Sequence, residues 1–419
     1  MIKMNMYPQD GGRMTENTEV KKMTLNDKDI VIVGYARTAI GDFLGSLKDM
    51  PLVDLGAIVA KEAMNRAGVQ PEQVEELGLG CIYKHGNGGN PGRQVEIKVG
   101  IPATAWAYTV DQQCASGMKA LDIVSRSLKT DGCQLGMVVG AEVMSRAPYL
   151  SMNGRAGFRM GDVHLVDALT KEGLSCAIAG YHMGVTAENL AEQYNISREE
   201  QDELALLSHQ RAIAAIDSGR CKGDIVPVEI KTRKGVTVFD TDEHPRRDIS
   251  LESLAKLRPA FKKDGTVTAG NASGINDGAC AMVVTTAQYA KEHGLKPIAR
   301  VLSVESLGVP AEVMGIGPAY VVPKAIEKAG LTADAIDYYE LNEAFAAQFL
   351  ACNRELKLPM DKVNRNGSGI SLGHPVGMTG ARIITACISE MLASGEQYGV
   401  ASLCVGGGPA MATVLEIVK

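Results

Sequence analysis

Asp111-Gln112-Gln113-Cys114-Ala115-Ser116-Gly117-Met118-Lys119-Ala120 puts a cysteine directly before an amphipathic segment. That segment is predicted to be helical over 115–130, and the apolar run Gly136-Met137-Val138-Val139 follows it. Such a run suits a strand buried on both faces. Near the other end of the chain the order returns. Ser371-Leu372-Gly373-His374-Pro375-Val376-Gly377-Met378-Thr379-Gly380-Ala381-Arg382 holds a histidine on a glycine-rich turn, a helix is predicted over 378–393, and Gly399-Val400-Ala401 reads as a strand. The offset from polar residue to strand is 22 residues in the first case and 25 in the second. The echo predicts two similar lobes about a pseudo-twofold axis, with Cys114 and His374 at equivalent loop–helix junctions that face each other across the join.

Working outward, Ile30-Val31-Ile32-Val33 ends in Gly34 and reads as another buried strand. Pro51 then opens a helix in which Leu52, Leu55, Ile58, Val59 and Ala63 recur at helical spacing before Gly68. Strand–helix–strand order recurs through most of the chain, which predicts an α/β protein with largely parallel sheets. Between about 145 and 270 the rhythm breaks. Charges are denser there, and helices are predicted over 185–194 and 198–218, the second opened by the capping box Ser197-Arg198-Glu199-Glu200. The organisation expected is an extension over 1–28, poorly ordered, then a first lobe over 29–144 completed by 276–296. An inserted loop domain over 145–275 and a second lobe over 297–419 account for the rest.

The chain carries 43 basic and 49 acidic residues in 419, a net charge of −6, so no global field favours nucleic acid or an anionic membrane. No apolar run reaches the ~20 residues that span a bilayer. The first 28 residues mix acidic and basic side chains without an apolar core, unlike a secretory signal, and Asp10 and Glu16 fit poorly with a mitochondrial leader. Nine scattered cysteines without a CxxC pair argue against a disulfide framework and a zinc site. Reduced thiols and a cytoplasmic location are expected.

Four features could carry chemistry. At a helix N-terminus the dipole and free N–H groups favour the thiolate of Cys114, the nucleophilic form; the plain alternative is a small buried core residue. His374 can take a thiol proton and return it, or be a satisfied turn histidine. Cys404 ends a predicted strand before Gly406-Gly407-Gly408, and loops at the carboxyl ends of strands are where α/β proteins build sites. That triplet lacks the Gly-Lys-Ser/Thr ending of a phosphate loop, and the dinucleotide fingerprint is absent from Gly367-Ser368-Gly369. Asn342-Glu343-Ala344-Phe345-Ala346 is expected to open a helix, with Asn342 as its cap or as a group that orients a water.

Together these stretches resemble the thiolase family, over nearly everything from Asp29 to Lys419. Val33-Gly34-Tyr35-Ala36-Arg37-Thr38-Ala39-Ile40-Gly41 and Thr268-Ala269-Gly270-Asn271-Ala272-Ser273-Gly274 match as well. The resemblance implies the thiolase-like α/β fold and acyl transfer between thiols of coenzyme A. It makes Cys114 the acylated nucleophile and His374 its activator. Cys404 becomes the base toward the α-proton of a second acetyl-CoA. Asn342, through a water, completes one oxyanion site with His374, and the N–H groups of Cys114 and Gly406 form another. Ketoacyl synthases share the fold and the nucleophile but typically carry a second His or an Asn beside the first; the cysteine in the base position separates this chain from them.

Tyr181-His182-Met183-Gly184 matches the short-chain, biosynthetic type, with His182, Met183 and Met314 at the acyl end. The same resemblance assigns Leu174, Arg246, Phe261, Ala272, Ser273, Ala344 and Phe345 to substrate and CoA contacts. It implies acetyl-CoA, acetoacetyl-CoA and CoA as the molecules handled, with no cofactor beyond CoA as substrate, no metal, no nucleic acid and no membrane. The run 151–172 resembles the family's tetramer-forming loop, which implies a homotetramer built as a dimer of dimers. A broader-chain 3-ketoacyl-CoA thiolase and a non-catalytic CoA-binding homologue are the alternatives. Pro409-Ala410 after the glycines and Thr379 where Ser is common depart from the family pattern.

Overall fold

Ile30–Arg37 (β1) lies in the middle of a ten-stranded sheet. The computed structural model describes residues 25–233 and 235–419; of the expected extension over 1–28, positions 1–24 lie outside the described residues. Along the first half of the chain come Glu76–Gly80 (β2), Trp106–Val110 (β3), Leu135–Val143 (β4) and Asn276–Thr286 (β5). Ala299–Gly308 (β6), Tyr338–Leu341 (β7), Tyr398–Cys404 (β8) and Pro409–Ile417 (β9) follow. The order across the sheet is β7-β8-β9-β6-β1-β5-β4-β2-β3, with the short Gly41–Asp42 strand beside β5.

The order contains one pattern twice. In β2-β4-β5-β1 and in β7-β8-β9-β6 the first pair is parallel and the next two are antiparallel. The halves meet where Ile30, Val31 and Ile32 pair antiparallel with Val301, Arg300 and Ala299. The expected pseudo-twofold relation is therefore present, but the expectation of largely parallel sheets is not met. Among the described residues only three pairings on this path are parallel, at the two flanks, and five antiparallel pairings run through the middle. The reason is burial. A central antiparallel strand covered by helices on both faces is as continuously apolar as a parallel one.

β1 shows this directly. Ile30 and Ile32 point into a core with Met118, Leu121, Ile383 and Ile384, while Val31 and Val33 point into another with Leu55, Val59 and Ala63. Burying each such aliphatic side chain contributes about 1.5–3 kcal/mol. Leu52–Ala67 (α1) covers the second face and ends at Gly68 in the left-handed conformation. Ser116–Lys129 (α2) leads into β4 on the first face.

Met183–Gln193 (α3) and Arg198–Asp217 (α4) form in the middle stretch, and the Ser197–Glu200 capping box is present. Ala346–Leu356 (α5) follows β7, and Val376–Ser394 (α6) leads into β8. α6 is long and apolar enough to cross a membrane, but it is buried on nearly all sides in the core beside α2.

α2 and α6 cross with backbones in contact. A methyl group on Gly117 would stand 2.7 Å from the Ala381 nitrogen, and one on Gly380 would stand 2.5 Å from the Met118 nitrogen. Only glycine at these two positions permits the approach. Because each helix begins just after one of the two echoed polar residues, the crossing brings those residues together.

Candidate active site

After β3 the chain turns through Gln113, a non-glycine residue at φ +47°. Backbone held in this region is strained and persists where the surroundings over-determine it. Here the Gln112 N–H donates to Ser116 Oγ at 2.9 Å, and that hydroxyl donates to the Gln113 carbonyl at 2.6 Å. Cys114 follows, partly open to a cavity.

On the other side Gly373, at φ +96°, and Pro375 hold His374 at the start of α6. The Nε2 of His374 lies 3.3 Å from Cys114 Sγ. Its Nδ1 lies 2.6 Å from Thr379 Oγ1, and Thr379 spends its own proton on the Pro375 carbonyl at 3.0 Å. Thr379 can therefore only accept. This assigns the proton to Nδ1 and leaves the Nε2 lone pair facing the thiol, the arrangement a base requires.

The electrostatics differ from the sequence expectation. Burial pushes the Cys114 thiol up to about 11, against the pull of hydrogen bonds from the Gly406 and Cys114 backbone N–H groups. Burial, helped by the Arg382 charge, holds His374 down to about 3. Desolvation outweighs the helix terminus, so the resting pair is a thiol and a neutral imidazole rather than a preformed thiolate.

Cys404 ends β8 and is buried, in the same apolar cluster as Met183, Met314 and Phe345. Burial raises its thiol well above the ordinary range, and the nearby Cys114 and Cys352 raise it further. Asn342 follows β7, its N–H bonded to the Ser402 carbonyl at 2.9 Å. It is not the cap expected of it. α5 starts only at Ala346, with Phe345 at the cap position, because the Ala346 N–H is taken by the Asn271 carbonyl. Both side-chain polar atoms of Asn342 are buried without a partner among the described residues. A buried amide in that condition is costly, and it marks a place for a polar guest.

A cavity of about 470 Å³ opens onto the Cys114–His374 pair. Cys114, His374 and Gly406 line it directly, and so do Leu174, His182, Met183, Arg246, Phe261, Ala272, Ser273, Met314, Ala344 and Phe345. Cys404 and Asn342 do not reach its lining. The wall is tied together by backbone pairing: the Ser273 N–H donates to the Ala344 carbonyl, and Ala272 bridges to Phe345. Phe261 stacks on His182 with ring centres 4.6 Å apart and meets Phe345 edge-on at 6.0 Å. His182 accepts the Gly184 N–H through Nδ1, and burial lowers its pKa, so the ring is neutral.

Sequence reading missed other members. Asp42, Phe43, Met144, His244 and Val376 also line the cavity. The Asn276 side chain accepts the His374 backbone N–H, and the Glu142 side chain accepts that of Gly377. The one signal available was a carboxylate at Glu142 inside the apolar run of β4.

A thiol within hydrogen-bond reach of a neutral imidazole, under backbone N–H groups and beside a second buried thiol, is an arrangement suited to covalent acyl transfer. Residues 30–288 match the family model for the thiolase N-terminal domain and residues 295–417 that for the thiolase C-terminal domain, so the chain belongs to the thiolase family. It is 47% identical over 390 residues to the acetyl-CoA acetyltransferase of Escherichia coli (strain K12), covering 93% of this chain and 99% of that protein. The solved acetyl-CoA acetyltransferase of Syntrophomonas wolfei superposes with a TM-score of 0.91 at 48% identity, over 93% of this chain and 99% of that one. Human mitochondrial 3-ketoacyl-CoA thiolase superposes with a TM-score of 0.91 at 38% identity, over 94% and 100%.

Proposed function

We propose that this protein is an acetyl-CoA acetyltransferase, which joins two acetyl-CoA molecules into acetoacetyl-CoA and CoA and runs the reaction in reverse. The observation that carries the reading is the 3.3 Å contact between Cys114 Sγ and His374 Nε2 at the wall of the cavity. Cys114 attacks the thioester carbonyl as its proton passes to Nε2. The departing CoA sulfur takes the proton of Cys404 and leaves as free thiol. The Cys404 thiolate then removes the α-proton of the second acetyl-CoA, and the carbanion attacks the acetyl group on Cys114. Cys114 leaves and recovers its proton from His374, so protons and electrons balance.

Two oxyanions need stabilising along this route. The N–H groups of Gly406 and Cys114, already directed at the sulfur, suit the first. Protonated His374, with a water held by the unpartnered Asn342 amide, suits the second. One such donor typically contributes about 3–4 kcal/mol. All groups needed come from the chain and from CoA thioesters, so the proposal includes no cofactor.

Chain length is the second question, because the human 3-ketoacyl-CoA thiolase matches this fold equally well by TM-score. The buried Met183 and Met314 on the cavity wall favour a four-carbon acyl group. Arg246 is the guanidinium offered to the CoA nucleotide. We further propose the division into lobes at 29–144 with 276–296, an inserted domain at 145–275 and a second lobe at 297–419. A homotetramer in the cytoplasm completes the proposal. Met152, Phe158, Met160, Val163 and Leu165 are exposed within one short segment, which fits contact between subunits.

The test is thiolysis of acetoacetyl-CoA by free CoA, with 3-ketohexanoyl-CoA and longer substrates alongside and Cys114→Ala as control. Activity confined to the four-carbon substrate and lost in the variant is the result expected. Equal activity on longer chains moves the enzyme to the broad-range class. No activity from folded, reduced protein leaves the binding homologue.

A further inference from the structure

The turn that carries His374 is held at both ends by the other half of the sheet. At one end the His374 N–H donates to Asn276 Oδ1 at 3.0 Å. At the other the Gly377 N–H donates to Glu142 Oε2, also at 3.0 Å. Asn276 opens β5 and Glu142 sits on β4, the neighbouring strand. Both side chains are fully buried, and neither lines the cavity.

Each is fixed by further bonds. The Asn276 amide nitrogen donates to the Gly41 carbonyl at 3.1 Å and to Asp42 Oδ1 at 3.3 Å, which orients Oδ1 toward His374. Glu142 also accepts the N–H groups of Ile82 at 2.9 Å and Tyr83 at 3.2 Å, and the Cys81 thiol at 3.3 Å. Four donors converge on one carboxylate, and charge-assisted bonds of this kind are the strong ones. The tight α2–α6 crossing sets the height of α6, and these two side chains are what tie the turn before it to the other half of the sheet.

We infer that Glu142 and Asn276 are positioning residues for the acyl-transfer step, fixing the imidazole against the Cys114 sulfur across the boundary between the two halves. The inference rests on the acyl-transfer reading above. An ångström of misplacement at a reacting group costs about 10²-fold in rate, and the grip acts on that distance. A residue that only held the halves together would change stability and leave turnover of the folded protein alone.

The experiment uses the full-length protein at pH 8, above the value of about 7 to which burial lifts the Glu142 carboxyl. In Glu142→Gln an amide N–H opposes backbone N–H donors; in Asn276→Ala the acceptor for His374 is gone. Expected for folded variants, checked by thermal melting, is a fall in kcat for acetoacetyl-CoA thiolysis of about 10–100-fold with KM within about twofold. The rate at which iodoacetamide alkylates Cys114 falls with it. Wild-type kcat and alkylation in folded variants, or a loss confined to KM, would overturn the inference. If Glu142→Gln fails to fold, Asn276→Ala decides alone. If the wild-type protein shows no thiolysis, the proposed function fails first, and the alkylation rates still test the grip.

Discussion

Cys114 Sγ and His374 Nε2 lie 3.3 Å apart although 260 residues separate them in the chain. Each stands at the start of one of two equivalent helices, so the contact is a product of the internal repeat. The pair is neutral at rest, because burial works against the charged form of both groups. On the proposed route, proton transfer therefore accompanies attack on the substrate instead of preceding it.

Alkylation of the free enzyme should report this. With the thiol pushed up to about 11, the thiolate fraction grows about tenfold per pH unit across the neutral range. Inactivation by iodoacetamide is expected to rise steadily from pH 6 to 9. A rate already level near pH 7 would show a preformed ion pair and refute the neutral resting state.

Acid stability follows from two buried histidines. His374 is held down to about 3 and His209 to about 4, both chiefly by burial, against an ordinary value of 6.5. Between those limits the unfolded chain binds more protons at these two residues, so their contribution to stability is complete above 6.5 and is lost as pH falls toward them. Each unit costs up to about 1.4 kcal/mol per histidine. Burial lifts the Glu142 and Glu340 carboxyls to about 7, and they pull the other way over this range. The readout is therefore a difference: the urea midpoint of His209→Gln relative to wild type should rise as pH falls from 7.5 to 4.5. A constant difference would refute the histidine contribution.

The hydroxyl of Thr379 is the acceptor that fixes the imidazole proton on Nδ1. Thr379→Val leaves that N–H buried and unpaired, a cost of about 1–3 kcal/mol. The expected loss in kcat is about 10–100-fold, and Thr379→Ser should restore it to within a few-fold of wild type. Equal activity in the valine variant would remove the hydroxyl from the mechanism.

On the proposed route Cys404 and Cys114 divide the labour. Cys404→Ala should lower thiolysis and condensation by about 10²–10⁴-fold, the range of a lost acid–base group. Labelled acetyl groups should still accumulate on Cys114 of that variant at one per chain. Failure to acetylate would show that the proton Cys404 gives the departing CoA is indispensable to the first step.

Much of this was legible beforehand, because the informative signals were local. Residues 115–130 and 378–393 announced α2 and α6 by periodicity, and Ser197 and Glu200 announced the start of α4 by capping chemistry. The expected face-to-face placement of Cys114 and His374 followed from the repeat. What escaped depends on distant pairing. The direction of β1 is decided by partners at 280–286 and 299–301, and its apolar run is the same either way. Asn342 lost its capping role because Asn271, 75 residues earlier in the chain, supplies the acceptor for Ala346. Glu142 is a lone carboxylate in an apolar strand and Asn276 opens another beside Asp277, and only the folded register shows that they reach the turn carrying His374.

The contact of Gly117 with Ala381, and of Gly380 with Met118, has a mechanical corollary. Where two backbones touch there is no cushion of side chains to yield, so the relative height of the two helices is a fixed dimension of the molecule, and with the histidine turn gripped at both ends the spacing of thiol and imidazole inherits it. Compliance toward different acyl groups is left to the facing wall, where the flexible thioethers of Met183 and Met314 and the ring of Phe261 can rearrange. One side of the chamber is a rigid anvil, and selection by size is exercised on the other.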